Sequence, residues 1–496
     1  MLLAGLDIGT TGCKITVYHP EGEFLGRVYK DYPLVRTDSV HEVDAGLIWD
    51  AVTEVISEAA VKWPDISSIG ITSFGETFVL LDEHDNPLLK SMLYTDPRGE
   101  EECKRLCTIM DKKEIAFITG LNPHPMYSIS KLMWLKSHQP DVFGKTKRIC
   151  LMGDYIVYML TGIAEIDYSL ATRTMAFDIR NLCWNTKVLN ASGIDIALFS
   201  KPVPTGTAVG PVTPALAERL GIKPTTLICC AGHDQVAAAI GSGVFTEGMA
   251  VDGAGTVECI TPVFTGIPDN DILTAGHYSI VPHIIQGKYI CYAFLYTGGA
   301  VIKWFTDNMA GYAVALAEKM GTSLYQYLEG IAPPDEPTGL LVLPHFAGAA
   351  TPYMDYGSKG AVLGLTLNTS QQDFFLAIME GVGYEMRLNM EILKKAGVVI
   401  NSLQATGGGA NSRVWMQIKA DILNIPITAL QSAEAGGTGA AMMAGVAADV
   451  FSDIYVAADK MISGRETFFP RPEVNAFYNQ VYEKYEKLYT AVRPLV

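Results

Sequence analysis

The N-terminal segment constrains the fold more than any other part of the chain. Leu2 to Leu6 is apolar, Gly9-Thr10-Thr11-Gly12 is a tight turn, and Ile15 to Tyr18 is a second strand. Pro20-Glu21-Gly22 turns the chain again before Phe24 to Tyr29. A helix follows, with Leu47, Ile48, Ala51, Val52, Val55, Ile56 and Ala59 at three- and four-residue spacing, and then a buried strand over Ile66 to Thr72. Hairpins first and strand–helix alternation afterwards predict a mixed α/β sheet with helices packed on it.

The pattern restarts further on. Asp154 to Leu160 and Pro214 to Leu220 read as helices, Thr226 to Ala231 as a buried strand, and Gly241-Ser242-Gly243 as a turn. Met249 to Val251 then precedes another glycine turn, Gly253-Ala254-Gly255-Thr256, followed by Val257 to Val263. Asp252 with that turn echoes Asp7 with Gly9-Thr10-Thr11. Later helices are expected over Phe374 to Leu393 and Val474 to Val492. The last carries Val474, Phe477, Val481, Tyr485, Leu488 and Val492 on one face, a stripe expected to pack in the core. Pro333-Pro334-Asp335-Glu336-Pro337 reads as a rigid surface connection rather than a linker. A chain of 496 residues suggests about three domains at ~150 residues each, but the restart places one boundary near residue 245, giving domains 1–245 and 246–496.

Composition narrows the partners. Lys plus Arg is 37 against 53 for Asp plus Glu, a net charge of -16, which disfavours nucleic acid or an anionic membrane as the main partner. A small anionic ligand can still be held locally, by backbone amides and a metal ion. The nine cysteines include no Cys-x-x-Cys pair, and no His or carboxylate cluster completes a metal set around Cys103 and Cys107, so reduced structural thiols are expected. The first apolar run has no basic segment before it and is interrupted by Asp7, and no apolar stretch reaches the ~18 residues of a membrane span. A soluble, cytoplasmic protein is expected.

Standard nucleotide motifs fail. Gly144-Lys145-Thr146 resembles the end of a P-loop, but Gln139 stands where its first glycine belongs, and no strand-linked Gly-x-Gly-x-x-Gly occurs. Other segments carry the chemistry. Asp7-Ile8-Gly9-Thr10-Thr11-Gly12-Cys13-Lys14 is either a plain polar hairpin or a phosphate turn. In the second case glycines admit the phosphate, Lys14 adds positive charge, and Asp7 is placed to hold a hydrated Mg2+. Gly232-His233-Asp234-Gln235 follows an apolar run, so Asp234 is either a catalytic base or the N-cap of the next helix. Thr406-Gly407-Gly408-Gly409-Ala410-Asn411-Ser412 is either a nucleotide cradle or a tight strand–helix turn. Within Ser73-Phe74-Gly75-Glu76-Thr77, Glu76 is either a solvated charge or a grip on a hydroxylated ligand.

Taken in order, these segments resemble the FGGY family of carbohydrate kinases, which includes xylulokinases, gluconokinases and glycerol kinases. Further pieces support this: Leu93-Tyr94-Thr95-Asp96-Pro97-Arg98 stands where xylulokinases have Leu-Trp-Asn-Asp-Gly-Arg. Gly360 to Leu365 with Asp373-Phe374 and Glu380 fits the family's C-terminal signature, and Trp415 with Ala420-Asp421 extends the adenosine motif. The resemblance implies two actin-like (ribonuclease H-like) α/β domains facing each other across a catalytic cleft, ATP bound mainly by the second and sugar mainly by the first.

It also implies roles. Asp234 would be the general base, with Gly75, Glu76, Asp234 and Gln235 at the acceptor. Thr10, Thr11, Gly12 and Lys14 would contact the transferred phosphate, and Asp7 would position Mg2+. Gly253 and Thr256 belong to the second phosphate loop, Gly299 and Lys303 fall where the family contacts ADP phosphates, and Gly408, Gly409, Ala410 and Arg413 would flank the adenosine. Departures bear on the acceptor: Phe74-Gly75-Glu76 replaces the Gln-Met-His of xylulokinases, and Gly75 removes the arginine of the glycerol kinase Arg-Glu-Thr. Asn122-Pro123-His124-Pro125-Met126 is more similar to gluconokinases, Ala254 replaces a threonine, and Ala349-Ala350-Thr351-Pro352 lacks a preceding Glu-Arg. The expectation is an ATP-dependent kinase of a small sugar or polyol, a pentulose first, with gluconate or glycerol-like polyols as alternatives. The family also implies a possible homodimer. An actin- or Hsp70-like ATPase switch is the alternative of another class. A sugar-sensing regulator would need a DNA-binding segment, and no basic helix-turn-helix appears.

Overall fold

Short apolar strands joined by glycine turns build two sheets in the computed structural model, which describes residues 1–322, 324–329, 335–432 and 434–496, with Gln326 and Glu329 by backbone alone. Pro333 and Pro334 of the proline segment lie outside the described residues. The chain divides into two compact units, one of Met1–Gly243, Ser279–Ile290 and Glu434–Ile462, the other of Val244–Tyr278, Cys291–Ala433 and Ser463–Val496. One break near residue 245 therefore does not separate them, because later segments return to the first unit.

The sheet of the first unit contains β1 (Leu2–Ile8), β2 (Gly12–Tyr18), β3 (Phe24–Asp31), β4 (Ile66–Ser73), β5 (Thr207–Pro211) and β6 (Leu227–His233), in the order β5-β6-β4-β1-β2-β3. The hairpins β1–β2 and β2–β3 are antiparallel, β1, β4 and β6 are parallel neighbours, and β5 closes the edge antiparallel to β6. Alternation along β1 gives the strand two different faces. Ala4, Leu6 and Ile8 join the apolar cluster of the helix Ala45–Lys62, which buries Ile48, Val52, Val55, Ile56 and Ala59. Asp44 caps that helix by accepting the Gly46 amide at 2.9 Å.

Leu3, Gly5 and Asp7 face the helix Ala435–Ala447, which is built almost wholly of glycine, alanine, methionine and valine. The approach is backbone to backbone. A Cβ on Gly5 would meet the Gly437 carbonyl oxygen at 2.0 Å, one on Gly70 of β4 the Ala440 oxygen at 2.1 Å, and one on Gly439 the Ala237 oxygen at 1.9 Å. Only unsubstituted α-carbons allow this distance, so the contact needs glycine at these positions on both the strands and the helix.

The second unit contains β7 (Met249–Ala254), β8 (Glu258–Thr265), β9 (Lys288–Leu295, most of it in this unit), β10 (Ser402–Thr406), β11 (Ile427–Leu430) and β12 (Gly464–Phe468). Their order is β9-β8-β7-β10-β11-β12, with β7–β8 antiparallel, β7, β10 and β11 parallel, and β12 antiparallel at the edge. A hairpin, two parallel partners and an antiparallel edge thus recur in both units, a mixed α/β arrangement in each. The long helix Gln371–Lys395 opens on a Ser370–Asp373 capping box and presses Gly383 on Ile422 of the helix Arg413–Leu423.

The C-terminal stripe packs as expected at Val474, Tyr485, Leu488 and Val492 and differs elsewhere. The helix breaks after Tyr485 and resumes at Leu488, Phe477 is 41% exposed, and Tyr478 and Tyr482 join the buried face. Tyrosines carry the burial because each keeps a polar tip while its ring packs. Each of the nine cysteines is a free thiol. No helix among the described residues is long and apolar enough to cross a membrane.

Replacing Gly439 by valine is expected to destabilise the protein by about 3 kcal/mol, as overpacking against a backbone that cannot retreat. Urea unfolding followed by circular dichroism gives the value, and a curve overlaying wild type would contradict the packing.

Candidate active site

Parallel strands deliver their C-terminal ends to one edge of a sheet, and loops there collect functional groups. In the first unit this edge is formed by β1, β4 and β6, with Ile8 opposite Ser73 and Ser73 opposite His233. Three segments singled out in the sequence therefore converge: the turn after Asp7, the loop Phe74 to Thr77, and His233-Asp234-Gln235.

The first turn is closed by the Gly9 amide donating to the Gly12 carbonyl at 3.0 Å and held by the Tyr32 hydroxyl donating to the Gly9 carbonyl. Thr11 is exposed and Thr10 half-buried. Gly12 is buried, its α-carbon so close to Lys30 that a Cβ would fall 2.7 Å from that carbonyl oxygen. Lys14 lies opposite Asp7 across the hairpin, 3.9 Å away at Oδ2, and forms a closer ion pair with Glu434. Arg27 pairs with the same Glu434. Burial pushes the Asp7 carboxyl up, Lys14 pulls it back, and Glu434 pushes it further up.

Glu76 sits at φ 62°, a left-handed conformation that a glutamate adopts only when its surroundings impose it. The imposing partner is Arg173, which follows the short helix Tyr168–Thr172. Its Nε donates to Glu76 Oε1 at 2.7 Å and its Nη2 to the same oxygen. Both side chains are buried. Ser128 Oγ donates to the Glu76 carbonyl at 2.6 Å. Gly75 is an access requirement, since a Cβ there would press on Arg173 Cγ at 2.8 Å and His233 Cδ2 at 2.9 Å.

Asp234 is the first residue of the helix Asp234–Gly241, and His233 occupies the N-cap, so the alternative reading of Asp234 as a cap fails. Its carboxylate lies 3.3 Å from His233 Nε2. Burial, and after it Arg173, pushes His233 well below its ordinary pKa, so the imidazole is neutral and cannot offset the carboxylate. The Asp234 carboxyl, with 34% of its side chain open, is pushed up to about 7 by burial first, then by the charges of Asp7 and Glu76. Tyr94 joins the group: burial raises the pKa of its hydroxyl first, and the charges of Glu76 and Asp234 raise it further. Behind the site, Asp167 Oδ1 accepts the Ser169 amide at 2.8 Å and the Thr205 hydroxyl at 3.0 Å, while Ser169 Oγ accepts the His233 amide at 2.8 Å. The segment Asp167 to Arg173 therefore fixes both the loop of Asp234 and the carboxylate of Glu76.

In the second unit the glycine run after β10 meets the β7–β8 turn and the start of the helix Gly299–Met309 around a cavity of about 650 Å3. Thr256, Gly299, Lys303, Gly408 and Gly409 line it, joined by Asn411, Ser412 and Trp415. The amide of Gly299 donates to the Gly255 carbonyl at 2.9 Å, so in this structure it faces the hairpin. Lys303 is largely exposed and pairs with Asp307 at 2.9 Å. Gly253, Ala410 and Arg413 stand outside the lining. Gly253 lies within β7 opposite Cys259, Ala410 is buried with its carbonyl bonded to Arg465, and Arg413 points to Glu466. Ala254 has a steric reason, because Gly409 passes 2.9 Å from its Cβ at the position where a Cβ would stand.

Arg173, Tyr94 and Glu434 in the first unit, and Ile302, Tyr325 and Met379 in the cavity lining of the second, are site residues to which the motifs gave no role. Arg173 meets Glu76 across 97 residues of sequence, and local pattern carries no sign of such a pairing.

Family models for the FGGY family of carbohydrate kinases match residues 2–241 with the N-terminal domain and residues 264–448 with the C-terminal domain. The chain belongs to this family of sugar kinases, phosphotransferases that act on an alcohol group with ATP. It is 26% identical over 497 residues to a xylulose kinase of Bacillus subtilis (strain 168), covering 99% of this chain and 97% of that protein. It is 28% identical over 457 residues to a gluconokinase of the same strain, covering 89% and 86%. A ligand-bound xylulose kinase structure from Lactobacillus acidophilus has the same fold, with a TM-score of 0.89 at 24% identity, covering 99% and 98% of the two chains.

The raised Asp234 carboxyl makes a stability prediction. A native carboxyl pushed above the ordinary 3.8 binds a proton that the unfolded chain releases, so stability falls as pH rises from about 4 to about 7. Asp234→Asn removes that penalty. Its melting temperature is expected to exceed wild type at pH 8 and to converge with it near pH 4; a gap independent of pH would contradict the crowding.

Proposed function

We propose that the chain transfers the γ-phosphate of ATP to a hydroxyl of a small neutral sugar or polyol, a pentulose of the xylulose type before glycerol-like polyols. The observation that carries this is Asp234, a carboxylate crowded by Asp7 and Glu76, next to a neutral imidazole, at the ends of three parallel strands. An acid of that basicity takes the proton from an acceptor hydroxyl at neutral pH. Glu76, fixed by Arg173, and Gln235, which is half-buried beside Asp234, orient the acceptor through its other hydroxyls.

The same crowding speaks against an aldonate. After burial, the charges of Asp7 and Glu76 raise the Asp234 carboxyl, and the nearest guanidinium, Arg173, is already bonded to Glu76. A substrate carboxylate placed there adds a like charge where two unit charges at 4 Å repel by about 4 kcal/mol at an effective dielectric of 20. Gluconate is therefore the weaker acceptor reading, although a gluconokinase is among the relatives.

Thr10, Thr11, Gly12 and Lys14 take the transferred phosphate through amides, hydroxyls and the ammonium group. In the second unit Gly408, Gly409 and Trp415 enclose adenosine, and Thr256, Gly299 and Lys303 lie toward the phosphates. Among the described residues no cluster of three or more His, Cys, Asp or Glu side chains is poised to hold a metal ion by itself. That fits Mg2+ in a kinase, where one carboxylate, phosphate oxygens and water complete the shell, and Asp7 is the carboxylate placed for it. When bound, the ion neutralises charge on the phosphoryl group. A homodimer is carried over from the family resemblance, and a cytoplasmic location from the reading of the cysteines as reduced thiols.

An ADP-release assay across xylulose, ribulose, gluconate, glycerol and erythritol tests the acceptor. Release should depend on a neutral acceptor, with gluconate at least about a hundredfold poorer, the factor that a few kcal/mol of repulsion supplies. Equal release with and without every acceptor would instead mark an ATPase.

The base has its own test. Asp234→Asn should keep the fold and lose about 100-fold or more in turnover. In wild type, kcat/KM for the acceptor should rise with pH to a plateau above about 7, since the carboxylate must be ionised to accept the proton. A flat profile together with an active Asn variant would remove Asp234 from the role.

A further inference from the structure

Beneath the hairpin β7–β8 lies a buried ionic group that neither the acceptor site nor the cavity lining uses. Lys419, in the second turn of the helix Arg413–Leu423, has no exposed surface, and its ammonium group is 2.8 Å from Asp252 Oδ2 and paired with Glu258. Both carboxylates are equally buried. The same ammonium stands 4.5 Å from the centre of the Trp415 ring, one helical turn earlier, and that ring lines the cavity.

The cavity walls all refer to this hairpin. Gly255 and Thr256 at its tip line the cavity. Their carbonyls accept the amides of Gly299 at 2.9 Å, Gly298 at 3.0 Å and Ala300 at 3.1 Å, which sets the start of the helix Gly299–Met309. Ala254 touches the glycine run, since a Cβ on Gly407 would lie 2.7 Å from its carbonyl oxygen. A buried ionic group is a poor device for stability alone, because apolar residues of the same volume commonly replace one without loss. Its geometry, by contrast, is directional: one ammonium joins two strands and an aromatic ring from beneath.

We infer that Lys419 is a positioning residue for ATP, fixing the β7–β8 tip and Trp415 at the separation the nucleotide needs without touching it. The inference rests on the reading of this cavity as the nucleotide site. Removing the ammonium lets the tip and the helix settle independently, so nucleotide binding weakens while the acceptor site, built on other strands, keeps its affinity.

The test uses the full chain with Lys419→Met and with the triple replacement Asp252→Leu, Glu258→Met, Lys419→Met. Melting temperature, KM for ATP and KM for the best acceptor of the panel are measured in each. The single variant is expected to melt lower and to show a KM for ATP raised about tenfold or more, as for a misplacement remote from the chemistry. The triple variant, with no unpaired buried charge, should melt near wild type and still show the raised KM for ATP with an unchanged KM for the acceptor. A triple variant with wild-type KM for ATP would reduce Lys419 to a structural role and overturn the inference. Hydrogen exchange on the wild-type chain provides a measurement independent of variant folding. ADP should slow exchange over 252–258 and 413–419 together, and slowing confined to the glycine run would overturn the inference. If ADP slows exchange in no segment lining the cavity, the nucleotide reading itself fails, and the inference with it.

Discussion

The contact on which the first unit depends is the meeting of unsubstituted α-carbons between the helix Ala435–Ala447 and its neighbours. Gly5 of β1, Gly70 of β4 and Gly241 at the end of the helix Asp234–Gly241 each lie where a Cβ would overlap a carbonyl oxygen of the helix. The gain is dispersion over a long, gap-free surface; the constraint is that few side chains can change there. The same approach has a chemical consequence. The start of the helix brings Gly436 close to the Asp7 carboxylate and places Glu434 on Lys14 and Arg27. Packing that fixes the parallel strands therefore also sets the charge around the first turn.

Charge explains why the carboxylates of this acidic protein differ in their use. Asp96 is held by Arg98 at 2.7 Å and 2.8 Å and by the His41 amide at 2.7 Å, and is pulled below its ordinary pKa against the cost of burial. Glu76 has Arg173, and Asp252 and Glu258 share Lys419. Lys131, buried and pushed down to about 8, gives its donors to three carbonyls instead and knits the loops near Asp96. Asp234 alone in this comparison faces other carboxylates and a neutral histidine rather than a close cation. A group left in that position is a poor contributor to stability and a good proton acceptor, and that asymmetry is the physical case for the role proposed for it.

Much of this arrangement was legible in the sequence because it follows from strand ends. The apolar runs before Asp7, Ser73 and Asp234 are parallel neighbours, so three polar segments far apart in the chain had to meet once those runs paired. The pairings made by long side chains were not legible. Nothing local joins Arg173 to Glu76 or Glu434 to Lys14, and a Thr-Arg-Thr run reads as polar surface although Arg173 is 4% exposed. The C-terminal stripe was legible at Val474, Tyr485, Leu488 and Val492 and missed Tyr478 and Tyr482, whose amphipathic rings a simple apolar pattern passes over. The break after Gly243 lies near the expected boundary, but the return of Glu434–Ile462 to the first unit was not legible, because a helix of glycine and alanine carries no local mark of a return to the first sheet.

The echo between Asp7 and Asp252 shows how one residue of register changes a side chain's use. Counted from the last pair of each hairpin, Ile8 with Cys13 and Ala254 with Glu258, the residue equivalent to Asp7 is Gly253, and Asp252 corresponds to Leu6. Successive residues of a strand face opposite sides, so the two aspartates point to opposite faces of their sheets. Asp7 lies on the face taken by the glycine-rich helix, where nothing bulky covers it and about a quarter of its side chain stays open. Asp252 lies where Leu6 lies in the first unit, on the face of a packed helix, and a carboxylate can be buried there only with a cation beside it. Lys419 is that cation. The repeated hairpin therefore places an open carboxylate at the tip in one unit and a sealed ionic group beneath the tip in the other. A shared motif in sequence is not a shared role until its register is known.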